Sequence, residues 1–228
     1  MILQLADLAP FARGGNRLCY VDPDDRGRCI KVRRPDFTLE DRRRKKGFPK
    51  NLLPLSHFDD NREEFQVMAL LDRLYGEPLY QHVSRCFGFV DTDMGKGLAS
   101  ELIRDADGAV SQTLKKVIWD EGFTEDCQRA VAVFAAFWQA HSIPSRDLLL
   151  HNIVVQRDAQ GHIVRLVVID GLGSQGLVPT HWMPQKTQAK KATKKITNLY
   201  KRIDTLLGQR GQAQFPGYHG ELLHNDKP

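Results

Sequence analysis

The stretch Ser-Arg-Asp-Leu-Leu-Leu-His-Asn (145–152) and the run Val-Val-Ile-Asp-Gly (167–171) indicate how the second half of this chain folds. Short β-branched segments follow Asn152 and precede Asp170, and the polar, glycine-containing residues 156–162 separate them. This pattern predicts a β-hairpin. Because a hairpin brings its two ends together, we expect Asn152 and Asp170 to be neighbours in space.

The residue types at these positions are those that phosphoryl transfer uses. An aspartate such as Asp147 can orient a hydroxyl acceptor, while Asn152 and Asp170 can each hold a Mg²⁺ ion. Asp147 and Asn152 are five residues apart, which is the spacing in the protein-kinase catalytic loop. The alternative is that all three residues only form turns, since Asp and Asn in loops often bond their own backbone.

A glycine-containing turn and a lysine-bearing strand in the first half supply a second part of such a site. Gly14, Gly15 and Asn16 form the turn, whose backbone N–H groups can cover phosphates. Lys31 lies in the strand-like run Cys-Ile-Lys-Val (29–32), where its ammonium group must reach a polar partner. In the kinase pattern this lysine binds nucleotide phosphates and pairs with a helix glutamate. The alternative is a solvent-facing lysine on an edge strand.

An amphipathic helix is predicted to begin at Asp59 or Asp60, because apolar residues recur at helical spacing after Glu64. Either aspartate can cap its first turn. Glu64 directly precedes the apolar residues and is the predicted partner of Lys31, with Glu63 as the alternative. Both glutamates could instead only complement the helix dipole.

The remaining periodic segments predict scaffold. Residues 125–141 have the apolar pattern of a buried helix that leads into the loop of Asp147. Residues 83–90 and 98–103 predict two strands that pair across a turn.

Four segments of the chain resemble a known family: residues 14–21, 28–35, 147–155 and 168–173. They are similar to the YrbL family, described as PhoP regulatory network proteins of Gram-negative bacteria, and more distantly to the protein-kinase-like superfamily. The resemblance implies an α+β, bilobal protein-kinase-like fold with an ATP site. It makes residues 1–102 an N-lobe with an antiparallel sheet and one helix. It makes residues 103–228 a minimal helical C-lobe with the catalytic loop and the metal-binding hairpin.

The resemblance also implies a role for each matching residue. It assigns Lys31 to the phosphates of ATP, Glu64 to the positioning of Lys31, and Asp147 to the acceptor hydroxyl. It assigns Asn152 and Asp170 to Mg²⁺.

At other positions of the chain the resemblance is weaker. Glu101 and Ile103 correspond to the hinge that binds adenine through its backbone. Ser145 stands where kinases have a histidine, and Asp170 begins Asp-Gly-Leu-Gly in place of Asp-Phe-Gly. No Ala-Pro-Glu follows Asp170, so activation-loop control of the protein-kinase type is not expected.

Composition is that of a soluble globular chain. At 228 residues, with 41% hydrophobic and 27% charged residues, the chain can bury a core in one domain of two lobes. It contains no apolar run of the roughly 18 residues that would span a bilayer. The first residues lack the basic and apolar regions of a signal peptide, and the four cysteines lack metal-ligand spacing. We therefore expect a cytoplasmic protein with reduced cysteines and no transmembrane segment.

Basic residues are concentrated in two segments. Residues 42–46 (Arg-Arg-Arg-Lys-Lys) predict a mobile loop that docks an anionic partner, because adjacent like charges repel one another unless an anion is near. The second segment, residues 186–202, predicts a helix with an apolar stripe, whose lysines are either a binding face or a solvated face. The last dozen residues, from Pro216, are expected to be loose.

Three functions are compatible with these observations. The first is an ATP-dependent, Mg²⁺-using phosphotransferase that acts on an unidentified hydroxyl acceptor (protein, glycan or small molecule) and is linked to the PhoP network. The second is a pseudokinase that binds nucleotide without turnover. The third is a regulatory module that binds a polyanion through its basic segments.

Overall fold

The computed structural model describes residues 2–174 and 180–226, which form an α+β fold with an antiparallel sheet and five α-helices. The described chain divides into two compact units. The first contains residues 2–78, 85–102 and 222–226, and the second contains residues 79–84, 103–174 and 180–221. The expected roles of residues 1–102 and 103–228 as kinase lobes stay a prediction.

The first unit is built on a five-stranded sheet with the strand order β1-β2-β3-β5-β4, in which every neighbouring pair is antiparallel. Its strands are β1 (Ala12–Arg13), β2 (Arg17–Val21), β3 (Arg28–Arg33), β4 (Cys86–Thr92) and β5 (Gly95–Glu101). The predicted pairing across the turn before β5 is confirmed, since β4 pairs with β5. Alternate residues of the sheet face an apolar core that includes Leu5, Tyr20, Ile30 and Val32.

Two helices complete the first unit: α1 (Leu39–Lys46) and α2 (Asp60–Tyr75). The predicted start of α2 is confirmed, because Asp59 is its N-cap and its carboxylate accepts backbone N–H groups of the first turn. The prediction of a mobile loop at residues 42–46 is wrong. These residues end α1, which begins with a capping box in which Thr38 and Asp41 bond each other's backbone N–H groups.

The second unit contains a two-stranded hairpin and three helices. Its elements are β6 (Ile153–Arg157), β7 (Ile163–Val168), α3 (Leu114–Glu121), α4 (Glu125–His141) and α5 (Gln185–Gln209). The predicted hairpin is confirmed, with Ile153 opposite Val168. The predicted buried helix is α4, in which Phe134 and Trp138 are fully buried. In the described residues, no helix has the length and apolar character needed to span a bilayer.

Several residues between Pro216 and Asp226 are held by specific hydrogen bonds, so the expectation of a loose end is wrong for this stretch, while residues 227–228 lie outside the described residues. In the second unit, Lys115 Nζ donates to the carbonyl of His219 at 2.9 Å, and Thr113 Oγ1 donates to that of Gly220 at 2.6 Å. In the first unit, the N–H of Leu223 donates to the carbonyl of Phe11 at 2.8 Å. The local composition of this segment is polar and rich in glycine, which does not predict these contacts. They are made with residues far away in the sequence.

Candidate functional site

Lys31 is a buried cation with a carboxylate partner. It lies on β3, which is flanked on both sides by strands, and is 6% exposed. The alternative of an exposed lysine on an edge strand is therefore wrong. Its Nζ lies 2.7 Å from Oε1 of Glu64 in the second turn of α2. A buried ammonium group needs such a partner because desolvation of an unpaired charge is costly.

Glu64 also receives a second cation that the sequence analysis did not identify. Arg17 Nη1 lies 2.5 Å from Glu64 Oε2 and donates to Asn61 Oδ1 at 3.1 Å. Asn61 in turn donates through Nδ2 to the carbonyl of Lys31 at 2.9 Å. These bonds fix Glu64 from both sides. Glu63, the alternative partner of Lys31, instead lies 3.4 Å from Arg42.

The turn before β2 is closed by bonds within the first unit. The N–H of Gly14 donates to the carbonyl of Arg17 at 2.8 Å, and Asn16 Nδ2 donates to Asp60 Oδ2 at 2.9 Å. A Cβ atom added at Gly15 would meet nothing within 4 Å, so the packing of the chain itself does not require glycine there. The expected role of Gly14, Gly15 and Asn16 toward phosphates stays a prediction.

In the second unit, Asp147, Asn152 and Asp170 are brought together around Gly171. The N–H of Arg146 donates to the carbonyl of Gly171 at 2.8 Å. Gly171 has a φ of +84°, and a Cβ atom there would lie 2.9 Å from Asn152 Nδ2 and 2.9 Å from the carbonyl oxygen of Asp147. Glycine is therefore required at this position by both conformation and space. The convergence of the loop and hairpin was predicted from the order of the motifs, and this contact is its physical basis.

The carboxylate of Asp147 has one bonded and one unbonded oxygen. Arg202 of α5 donates through Nη2 to Asp147 Oδ2 at 2.6 Å. Oδ1 of Asp147 and Nη1 of Arg202 are buried, and neither has a hydrogen-bond partner among the described residues. A buried polar atom without a partner costs about 1–3 kcal/mol. The sequence places Arg202 only in a basic segment, because no local pattern links it to a residue as far upstream as Asp147.

Asn152 and Asp170 offer the oxygen ligands that Mg²⁺ prefers. Asp170 Oδ1 also accepts the N–H of Gly171 at 2.6 Å, which fixes its carboxylate at the end of the hairpin. Among the described residues no group of three or more His, Cys, Asp or Glu side chains could hold a metal ion by itself. Mg²⁺ is commonly held by one or two carboxylates together with water and substrate phosphates. The two side chains therefore fit an ion that binds together with a nucleotide.

The predicted hinge residues use part of their backbone within the chain. In the first unit, the N–H of Glu101 donates to the carbonyl of Arg85 at 2.8 Å, and Glu101 Oε2 accepts the N–H of Arg85 at 3.0 Å. In the second unit, the carbonyl of the buried Ile103 accepts the N–H of Ser111 at 3.0 Å. These groups are already bonded, and a role of Glu101 and Ile103 toward adenine stays a prediction.

A model of the family described as "PhoP regulatory network protein YrbL" matches residues 3–204, nearly the whole chain. The chain belongs to the YrbL family. Among its relatives are two proteins named "Uncharacterized protein YrbL", one of Escherichia coli K12 and one of Shigella flexneri. Each is 27% identical to this chain over 183 residues, which cover 78% of this chain and 77% of the relative. The stretch matched by the YrbL family includes the residues described above, from Gly14 to Arg202.

Proposed function

We propose that the chain is an ATP-dependent phosphotransferase with a bilobal protein-kinase-like fold, which uses Mg²⁺ to transfer a phosphoryl group to a hydroxyl acceptor. The observation that carries the proposal is the convergence of Asp147, Asn152 and Asp170 around Gly171, with one buried carboxylate oxygen of Asp147 unbonded. A hydroxyl acceptor would supply the missing donor. The description of the YrbL family further suggests a role in the PhoP regulatory network.

In this proposal Lys31 binds the phosphates of ATP. Its ammonium group is buried and held at 2.7 Å by Glu64, so it is oriented before nucleotide arrives. A fixed cation in a site of low dielectric constant interacts with phosphate oxygens more strongly than a solvated one does. Arg17, the second partner of Glu64, restricts the carboxylate and thereby the lysine.

Asp147 then accepts a hydrogen bond from the acceptor hydroxyl through Oδ1. As the hydroxyl oxygen forms its bond to the γ-phosphorus, the bond from that phosphorus to the β–γ bridging oxygen breaks, and Asp147 takes the proton. Arg202 holds Oδ2 and so fixes the direction of the free oxygen. Mg²⁺ held by Asn152 and Asp170 would neutralise charge on the phosphate oxygens.

A pseudokinase is the second candidate, and the ion pair of Asp147 favours it. Arg202 lies 2.6 Å from Asp147 Oδ2, so one oxygen of the carboxylate is already engaged in an ion pair within the chain. A nucleotide-binding regulator without turnover would tolerate this arrangement.

Equilibrium binding and turnover of ATP test the proposal. We expect Mg²⁺-dependent binding of ATP to the wild type in calorimetry, weakened at least about tenfold by Lys31→Met or by Asp170→Asn. Lys96→Met is the matched control, because Lys96 is an exposed lysine of the same sheet whose Nζ lies 2.8 Å from Asp91. Asp147→Asn should retain binding and lower turnover by about 10²–10⁴-fold.

Two results would contradict the phosphotransferase. Equal affinity for ATP in wild type, Lys31→Met and Asp170→Asn would exclude these residues from any nucleotide site. Tight binding of ATP without phosphate release or transfer, in wild type as in Asp147→Asn, would favour the pseudokinase.

A further inference from the structure

A cavity of about 210 Å³ lies in the second unit, between α5 and the segment that leads to Asp147. Its walls come from residues 142–145, from Thr180 and from the face of α5 that carries Gln188 and Lys195. Pockets for drug-sized ligands are roughly 300–1,000 Å³. The cavity is thus suited to a compact group, and none of the roles proposed above uses it.

The cavity is cationic. Lys191, Lys194 and Lys195 of α5 line it, and no acidic residue is among the described residues of its lining. Lys191 and Lys195 are one helical turn apart and partly buried, so their side chains share one face of α5. Like charges at this spacing destabilise a helix unless an anion lies between them.

Lys195 lies near one carboxylate and three other cations of the second unit. Burial lowers the pKa of Lys195, the carboxylate of Asp147 opposes this shift, and Arg202, Lys194 and Lys191 add to it. Asp147 is itself engaged by Arg202 at 2.6 Å. Lys191 and Lys194 thus add positive charge beside Lys195 on the side of α5 that lines the cavity.

Ser145 provides a second, independent indication of a ligand. It lines the cavity and is 8% exposed, yet its hydroxyl has no hydrogen-bond partner among the described residues. Most buried hydroxyl groups in proteins are bonded. A ligand oxygen in the cavity would satisfy this hydroxyl, which can rotate to donate.

We propose that this cavity binds a phosphate-type dianion, with Lys191, Lys194 and Lys195 supplying the positive charge and Ser145 a hydroxyl donor. The inference does not depend on the phosphotransferase proposal. Lys195 Nζ also donates to the carbonyl of Arg146, so a bound dianion would contact a side chain that holds the loop of Asp147. The dianion is either a free ion or the phosphate group of a larger ligand, and both share this recognition chemistry.

The first test is calorimetric titration with inorganic phosphate, without nucleotide and at constant ionic strength, so that simple screening is unchanged. We expect saturable binding that Lys191→Gln/Lys194→Gln weakens by about tenfold or more. The matched control is Lys190→Gln/Lys201→Gln, which removes the same charge from exposed positions of α5 outside the cavity lining and should change the affinity less than about twofold. Binding should persist in Lys31→Met, which separates this site from the proposed nucleotide site.

A second variant separates binding from folding. Ser145→Ala should leave the melting temperature of the free protein equal or higher, because it removes an unsatisfied buried hydroxyl, and should weaken phosphate binding.

Titration with glycerol 3-phosphate distinguishes the two sources of the dianion. Tighter binding than inorganic phosphate indicates a phosphate group on a larger ligand, and weaker binding indicates the free ion.

The proposal is overturned if phosphate does not bind at constant ionic strength. It is also overturned if the cavity variant and its control lose affinity equally, since that result would reflect only the net charge of the chain.

Discussion

Neighbouring cations hold the two carboxylates that matter most for the proposed chemistry, Glu64 and Asp147, and they do so differently. Glu64 pairs with Lys31 and also with Arg17, so its carboxylate has a cation on each oxygen. Arg202 bonds one oxygen of Asp147 and leaves the other unbonded. The first arrangement fixes a cation, and the second leaves an acceptor directed at whatever binds beside it.

We expect His82 to make the stability of the second unit dependent on pH. Its ring is buried beside Phe134 and Phe137, and its Nδ1 lies 2.8 Å from the carbonyl of Leu166, to which it donates. Burial lowers the pKa of His82 from its ordinary 6.5. The unfolded chain therefore binds the proton first, so stability should be lost as pH falls below about 6.5 toward the lower folded pKa.

Urea unfolding between pH 5 and pH 8 measures this effect. The variant His82→Gln keeps a donor for the carbonyl of Leu166 but cannot titrate, and we expect a flatter decline of the unfolding free energy below pH 6.5. His162→Gln is the control, since His162 lies exposed in the turn between β6 and β7. An identical slope in His82→Gln and wild type would contradict the assignment.

At the scale of elements, α5 has two faces with different roles. One face buries an apolar stripe in the second unit: Ala192, Ile196, Leu199, Ile203 and Leu206. A neighbouring face carries Lys191, Lys195 and Arg202 toward residues 142–147. The helix and its apolar stripe were predicted, but the sequence left open whether its cations were solvated or bound to something.

In the first unit, β5 passes so close to β3 that a methyl group added at Gly97 should lower the stability of the sheet. A Cβ atom at Gly97 would lie 2.7 Å from Ile30 Cγ2 and 3.3 Å from Val32 Cγ1, both in the core. We expect Gly97→Ala to lower the unfolding free energy by about 1–3 kcal/mol, the usual cost of overpacking a core.

Gly15→Ala is the matched control for that measurement. Its added Cβ meets nothing within 4 Å, and Gly15 does not have a positive φ. Urea unfolding should show no loss for this variant, and a gain of up to about 1 kcal/mol from the reduced entropy of the unfolded chain. Equal stability of Gly97→Ala and wild type would show that the sheet can relax around the added methyl group.

At the scale of the whole molecule, a segment near the C-terminus belongs to the unit that the first residues of the chain form. Residues 222–226 join the first unit, where the N–H of Leu223 donates to the carbonyl of Phe11 and Arg26 lies 2.8 Å from Asp226. The N-terminal unit is therefore not continuous in sequence.

Truncation of the chain tests whether residues 222–226 stabilise the first unit. A chain that ends at Glu221 loses the bonds of Leu223 and Asp226, and we expect its first unit to be destabilised by about 1–2 kcal/mol, as judged by urea unfolding. A chain that ends at Asp226 keeps both contacts and serves as the control. If both chains unfold at the same urea concentration, the C-terminal residues add nothing to the stability of the first unit.

The sequence by itself determined what depends on local pattern. Two short β-branched segments around a polar, glycine-containing stretch predicted the β6–β7 hairpin. Asp59 or Asp60 and the apolar period that follows predicted the start of α2, and the apolar pattern of residues 125–141 predicted the buried α4. The hairpin was enough to predict that Asn152 and Asp170 are neighbours, because a hairpin brings its two ends together.

Only the tertiary structure decided which distant groups meet. Arg17 with Glu64, Arg202 with Asp147, and the unbonded hydroxyl of Ser145 beside three lysines have no signature within any short window. Residues 42–46 read as a run of repelling charges, yet the helix α1 forms because Thr38 and Asp41 cap it and Arg42 is paired with Asp60. Charges are stabilised by the groups that lie next to them in space, and for Arg17, Arg42 and Arg202 those groups are far away in the chain.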